Sequence, residues 1–473
     1  MSDNAARPRI LWSPAADLDR RMLDYTVGDD RAWDARLLPW DVLGSLGHVE
    51  GLRAARLLSN GDHARLRASL RAALGAIGRG RLGIGRQHED VHSAVEDWVT
   101  RRAPGLGERL HAGRSRNDQI ACDLRLYLKD ALLHLHDGTL ALADALLGFA
   151  AGHRTALWPG YTHQRRAMPS SGGLWALAFA EGLLDTAETL PALWATVDRS
   201  PLGSAAGYGA PLPLRRELVA RVLGFAGPEH AVTAVQNGRG KLEAAVLFWC
   251  TQVGHDVGKL AQDVVLLSAE EFGFLVIPPG LATGSSMMPH KRNPDLFELT
   301  RGRAAALEGD LAAVLHLKSK LPSGYHRDFQ LLKEPLFRGL DRTAEMLAMM
   351  AHAVPRLQVD RARAEAALRG GALATDEVMR RVELGRAFRL AYREVADEIR
   401  GGREPAEPTR AEIVARRRAT GNLGNLGLPA VRARLRRARR WGARERRRFD
   451  SAIARLAGRR SPRAGRRPAK GGR

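Results

Sequence analysis

The stretch KLEAAVLFWCTQVGHDVGKLAQDVVLLS, residues 241–268, decides the fold. Its apolar side chains fall on nearly every face of a helix, and no proline interrupts them. A helix apolar almost all round has to be buried on all sides. Ser115 to about Ala151 and Gly173 to about Val197 read the same way, and a fourth helix follows at about Leu296 to Leu317. Ala, Leu, Arg and Glu are abundant, whereas strand-like alternation of Val, Ile and aromatics is scarce. The expected fold is all-α, with a long central helix bundle that also packs against other subunits.

Outward from the bundle the helices shorten. Residues 1–110 carry breaks at Gly78 to Gly85 and at Pro104-Gly105, and form an N-terminal helical domain. Residues 111–360 form the bundle and 361–441 a small C-terminal helical domain, punctuated by Gly370-Gly371, Gly401-Gly402, Pro405 and Pro408. From Gly442 the composition turns rich in Arg, Gly and Pro, so 442–473 is expected to be a basic, disordered tail. Residues 431–473 hold 18 Arg or Lys against two acids, a net +16 of the total +22. The basicity is therefore mostly a property of the C-terminal stretch from residue 431. Nucleic acid is not expected as a partner beyond weak, sequence-indifferent adhesion by it.

Composition excludes several classes. Met1 to Arg21 holds no apolar run of signal-peptide length, and later apolar runs are cut by charges such as Glu181, Asp185 and Glu188. A membrane span needs about 20 nearly uninterrupted apolar residues. The expectation is a soluble protein with no membrane partner. Cys122 and Cys250, the two cysteines of the chain, make neither a disulfide framework nor a zinc cluster, which fits a reducing cytoplasm.

Two motifs imitate chemistry. Gly78-Arg-Gly-Arg-Leu-Gly83 satisfies the dinucleotide pattern, but a helix-like stretch precedes it where a strand is required, so it reads as a loop. His88-Glu-Asp-Val-His92 satisfies a zinc-protease pattern, yet two histidines are not a catalytic site and no third ligand stands nearby.

Three other stretches concentrate useful groups. Gly107-Glu-Arg-Leu-His-Ala-Gly-Arg114-Ser115-Arg116-Asn117-Asp118-Gln119 packs two arginines, a serine and an asparagine together, and arginine forks bind carboxylates bidentately. Pro159-Gly-Tyr161-Thr162-His163-Gln164 places a histidine, able to exchange a proton near neutral pH, beside a turn. Thr283-Gly-Ser285-Ser286-Met-Met-Pro-His-Lys291-Arg-Asn293-Pro-Asp295 joins a small-residue turn, which aims backbone amides inward, to a lysine suited to a carboxylate of developing enolate character.

The last run resembles the signature of the fumarase/aspartase superfamily. His111 to Gln119 and Pro159 to His163 resemble its argininosuccinate lyase and delta-crystallin branch, as do Asp41 to Ser45, His88 to His92, Ser200 to Ser204, and Tyr325 to Asp328 with Gln330 and Lys333. The similarity runs from about residue 20 to 400. It implies a homotetramer with sites shared between subunits, taking a small-molecule substrate. The implied reaction is reversible β-elimination of argininosuccinate to arginine and fumarate, with no cofactor and no metal. Ser285 then matches the general base, His163 the group assisting the leaving nitrogen, and Glu298 its charge partner. Lys291 and Asn293 match residues holding the carboxylate that becomes the aci-anion. Ser115, Arg116, Asn117, Thr162, Tyr325, Gln330 and Lys333 match substrate-binding positions, and His92 becomes a site-lining histidine. The chain departs from the family at Gly238 and at His326, and Asp30 stands where many members have a substrate-binding serine. These departures leave room for another N-succinyl substrate, and a non-catalytic crystallin-like relative with a polyanion-binding tail is the remaining alternative.

Overall fold

The computed structural model describes residues 19–458. Its centre is a bundle of five helices, Arg116–Gly152, Gly172–Val197, Lys241–Leu267, Asp295–Lys318 and Lys333–Ala353. The fold is all-α. One continuous apolar core joins these helices, from Leu124 and Leu146 through Leu184, Val253 and Leu307 to Leu347. Three of the starts have a local cause: Ser115 and Ser171 cap their helices through the side chain, and Glu243 reaches back to the Gly240 amide.

The helices Leu38–Ala54, Asn60–Ile77 and Val91–Arg102 precede the bundle and share a second core, which also takes in Cys122 and Leu126. Both cysteines are buried free thiols, and burial pushes that of Cys250 up to about 12. The remaining β structure is slight. The longest ladder is the antiparallel hairpin Leu157–Thr162 with Arg165–Ser171. No helix among the described residues is long and apolar enough to cross a membrane.

The expected disordered tail from residue 442 is wrong over its first part. Leu428–Ala457 is a single helix packed on Leu38–Ala54 and on the bundle helices 116–152 and 172–197. It buries a stripe of Val431, Leu435, Ala438, Gly442, Phe449, Ala452 and Leu456, spaced for one face. Several of its arginines are paired with acids of the bundle: Arg434 with Asp185 and Glu188, Arg439 with Asp144, Arg446 with Asp130. The remainder of the expected tail, residues 459–473, lies outside the described residues.

Candidate active site

The cap of the Arg116–Gly152 helix organises one cavity. Ser115 Oγ accepts from the Asn117 amide at 3.3 Å, and the Ser115 amide donates to Asp118 Oδ1 at 2.9 Å. Asp118 Oδ2 in turn accepts from the Gly203 and Ala205 amides at 3.0 and 2.9 Å, which ties the helix start to the 200–205 loop. Ser115 is thus occupied as a cap. Arg116 and Asn117, just behind it, open onto a cavity of about 280 Å³.

Tyr325, Gln330, Lys333 and His92 line the same cavity, so six of the residues singled out in the sequence meet there. Gln330 is set by donating to the Thr26 and Val27 carbonyls at 3.0 and 3.2 Å. Lys333 is buried, with its ammonium 2.6 Å from both Asp30 Oδ1 and Asp34 Oδ1. Burial opposes its charge, but Asp34 and Asp30 outweigh that and hold its pKa above the ordinary lysine value.

His92 does not act with His88. Asp90 caps the Val91–Arg102 helix, so His88 lies before its start and turns to Asp97 at 3.1 Å. His92 Nδ1 is 2.7 Å from Asp41 Oδ1. Burial works against a charged imidazole there, yet Asp41, with Asp90 and Asp34, lifts its pKa above the usual range. Asp123 is also close, 3.7 Å from His92, and its own carboxyl is pushed well up by burial and by Asp41.

Sequence reasoning missed part of the wall. Asp34, Glu89, Asp90, Arg239 and Arg327 all line the cavity. Glu89 and Asp90 hold Arg116, and Glu89 also holds Arg327 at 3.1 Å. Glu89 and Asp90 were visible inside the His88–His92 motif, and Arg239 inside the loop carrying the Gly238 departure. Asp34 had no local signal.

The other six residues do not line this cavity within one chain. Thr162 and His163 sit at the tip of the hairpin, where Thr162 pairs with Arg165 and the two-residue turn is His163-Gln164. Both turn residues have positive φ, 52° and 57°, the backbone of a turn that ordinarily takes Asn-Gly. Holding non-glycine residues so costs of order 1–3 kcal/mol each and presents an exposed His163. Ser285, Lys291 and Asn293 belong to a second hairpin, closed by Thr283 opposite Asn293 and Gly284 opposite Arg292. The Met287 and Met288 amides donate to Ser285 Oγ at 3.3 and 3.1 Å. Lys291 is exposed, as is Glu298 in the first turn of Asp295–Lys318, 3.4 Å from Arg301.

Comparison with known proteins decides what family carries these groups. A family model described as a lyase matches residues 80–309. The argininosuccinate lyase of Sorangium cellulosum is 41% identical over 425 residues, which cover 90% of this chain and 98% of that protein. That of Parabacteroides distasonis is 37% identical over 421 residues, 89% of this chain and 94% of its own.

The chain belongs to the argininosuccinate lyase family.

As a member of it, the chain is a carbon–nitrogen lyase. Solved structures agree on the fold. EDDS lyase in complex with formate superposes with a TM-score of 0.77 at 22% identity, covering 94% of this chain and 95% of that one. The class II fumarase of Schistosoma mansoni gives 0.68 at 15% identity, covering 83% and 90%.

Proposed function

We propose that this lyase splits argininosuccinate into arginine and fumarate, serving arginine biosynthesis as a cytoplasmic homotetramer. The geometry at Ser285 carries the chemistry. A serine hydroxyl is a poor base unless its alkoxide is stabilised, and two loop amides already point at this oxygen at 3.1 and 3.3 Å. Ser285 takes the proton from the succinyl carbon next to the one bearing nitrogen. The electron pair left behind spreads into the adjoining carboxylate, where Lys291 and Asn293 stabilise the developing charge. As the pair returns to form the carbon–carbon double bond, the carbon–nitrogen bond breaks. His163, with Glu298 as charge partner, assists protonation of the departing nitrogen.

The cavity of Arg116, Asn117, Tyr325, Gln330 and Lys333 receives the amino-acid part of the substrate. It has to meet His163 and the Ser285 loop, so we place these on neighbouring subunits. Phe248, Leu299, Leu315 and Met349 support assembly, since they are exposed apolar residues on the long bundle helices. Subunit exchange tests this arrangement. Mixing inactive Ser285→Ala and His163→Asn proteins restores partial fumarate release if the two residues reach each site from different chains. Mixed tetramers that are shown to form and remain inactive contradict it.

A further inference from the structure

The hairpin that carries His163 is firmly seated along its strands, and its freedom lies in the two-residue turn. At its base, Ser171 ends the second strand and caps the helix Gly172–Val197. The Gly172 and Gly173 amides donate to the Ala156 and His153 carbonyls, each at 3.0 Å. Further along, Trp158 is buried and stacks on Phe274, with centroids 6.2 Å apart and planes at 19°. The Tyr161 ring meets the edge of Phe272 at 5.5 Å and lies tilted to Phe274 at 6.5 Å. Phe272 and Phe274 belong to the turn that follows the bundle helix Lys241–Leu267, so the hairpin rests on the main core as far as Tyr161. Beyond it, the pairing of Thr162 with Arg165 leaves His163 and Gln164 as the turn.

Both turn residues are exposed and hold φ of 52° and 57°. Glycine takes positive φ freely and is the usual second residue of such a turn. At Gln164 it would relieve the strain, but it would also open other backbone wells to the turn. A residue with a Cβ has one narrow left-handed well, about 20° wide in φ. Gln164 therefore gives up stability and holds the turn in a single geometry, next to the residue that has to handle a proton. Strain confined to one exposed point of a well-anchored element points to a functional constraint.

We propose that Gln164 is a positioning residue: its strained backbone, and not its amide group, fixes the direction in which His163 leaves the hairpin. That aligns the imidazole with the departing nitrogen. The inference rests on the proposed role of His163 and assigns Gln164 no contact with substrate. Its effect falls on the step that breaks the carbon–nitrogen bond and spares ground-state binding. Misplacing a reacting group by about 1 Å costs up to about 10²-fold in rate, so a loosened turn is felt in kcat.

The experiment compares wild type with Gln164→Gly, Gln164→Ala and Gln164→Asn, in steady-state fumarate release and in thermal unfolding at fixed protein concentration. Gln164→Gly is expected to lower kcat about tenfold with KM within about twofold. Its unfolding midpoint should stay level or rise, because the strain is relieved. Gln164→Ala removes the amide and keeps the Cβ, and Gln164→Asn keeps a side chain that tolerates the left-handed region. Both should retain kcat within about threefold of wild type. A Gly variant as fast as wild type would overturn the inference. So would an Ala variant as slow as the Gly variant, which would make the amide group the working part. A Gly variant whose slower turnover came with a lower midpoint would overturn it too, by making the residue merely structural. The comparison is made on whichever N-succinyl substrate the wild type splits. Fumarate from a substrate other than argininosuccinate would thus refute the proposed reaction and leave the inference standing, whereas a chain releasing none from any substrate would end both.

Discussion

Replacing Phe449 by alanine should destabilise the whole protein, although the residue lies in a segment whose composition reads as a tail. Its ring is 2% exposed and stacks on Trp40 with centroids 6.1 Å apart and planes at 18°. The ammonium of Lys129 lies 5.0 Å from the ring centre. That ammonium is itself buried, donating to the Asp198 carboxylate and to the Gly224 carbonyl, and Arg448 reaches the other Asp198 oxygen at 3.4 Å. Truncating a fully buried phenylalanine costs about 3–5 kcal/mol, lost transfer and cavity together. A desolvated cation over its face contributes up to about 2 kcal/mol of that figure. The total corresponds to at least a 10²-fold shift toward the unfolded state. The assay is guanidinium unfolding at fixed protein concentration, followed by tryptophan fluorescence, with Trp40 as a neighbouring reporter. A change under about 0.5 kcal/mol would show that the Leu428–Ala457 helix is an appendage and not part of the core. Truncation from Gly442 should be more severe, because it removes Phe449, Ala452 and Leu456 from their contacts at once.

Ser285→Ala should lower turnover by at least about 10²-fold while substrate still binds, since a base acts in the transition state; near-normal turnover would remove Ser285 from that role. Gly442→Ala should destabilise by about 1–3 kcal/mol in thermal or chemical unfolding, because its added carbon would lie 2.8 Å from buried His136 Nδ1. Alanine's better helix propensity, about 1 kcal/mol, points the other way, so a stabilised variant would refute the packing seen there. Burial, with Arg114 and Arg116, depresses the pKa of His111 from 6.5 to about 4. Its neutral form is retained on folding while the unfolded chain protonates, so stability should fall as pH drops from about 6.5 toward 4, and His111→Gln should flatten the part of that fall due to this residue. An unfolding midpoint with the same pH slope in wild type and variant would exclude His111 as a contributor.

The long helices were legible because their signals are local. An all-round apolar pattern places the ends of Arg116–Gly152, Gly172–Val197 and Lys241–Leu267 within a residue or so of where they occur. The helix at Leu428–Ala457 escaped because its arginine content suggested a solvated tail. Its stripe of Val431, Leu435, Ala438, Phe449 and Leu456 was there to be seen, and distant acids such as Glu188 and Asp144 offset part of the charge. At the site, single motifs were readable but their assembly was not. Arg116 and Asn117 join Tyr325, Gln330 and Lys333 only through tertiary packing, and no local pattern links Lys333 to Asp34, 299 positions away. The two histidines of the His88–His92 motif part because Asp90 starts the helix between them and sends them to different acids.

The most direct measurement is fumarate release by the purified full chain supplied with argininosuccinate, with adenylosuccinate and aspartate in parallel. The proposed function predicts fumarate and arginine appearing in equal amounts from argininosuccinate, loss of both in Ser285→Ala, and little or nothing from the two controls. Fumarate from adenylosuccinate or aspartate with none from argininosuccinate would contradict it.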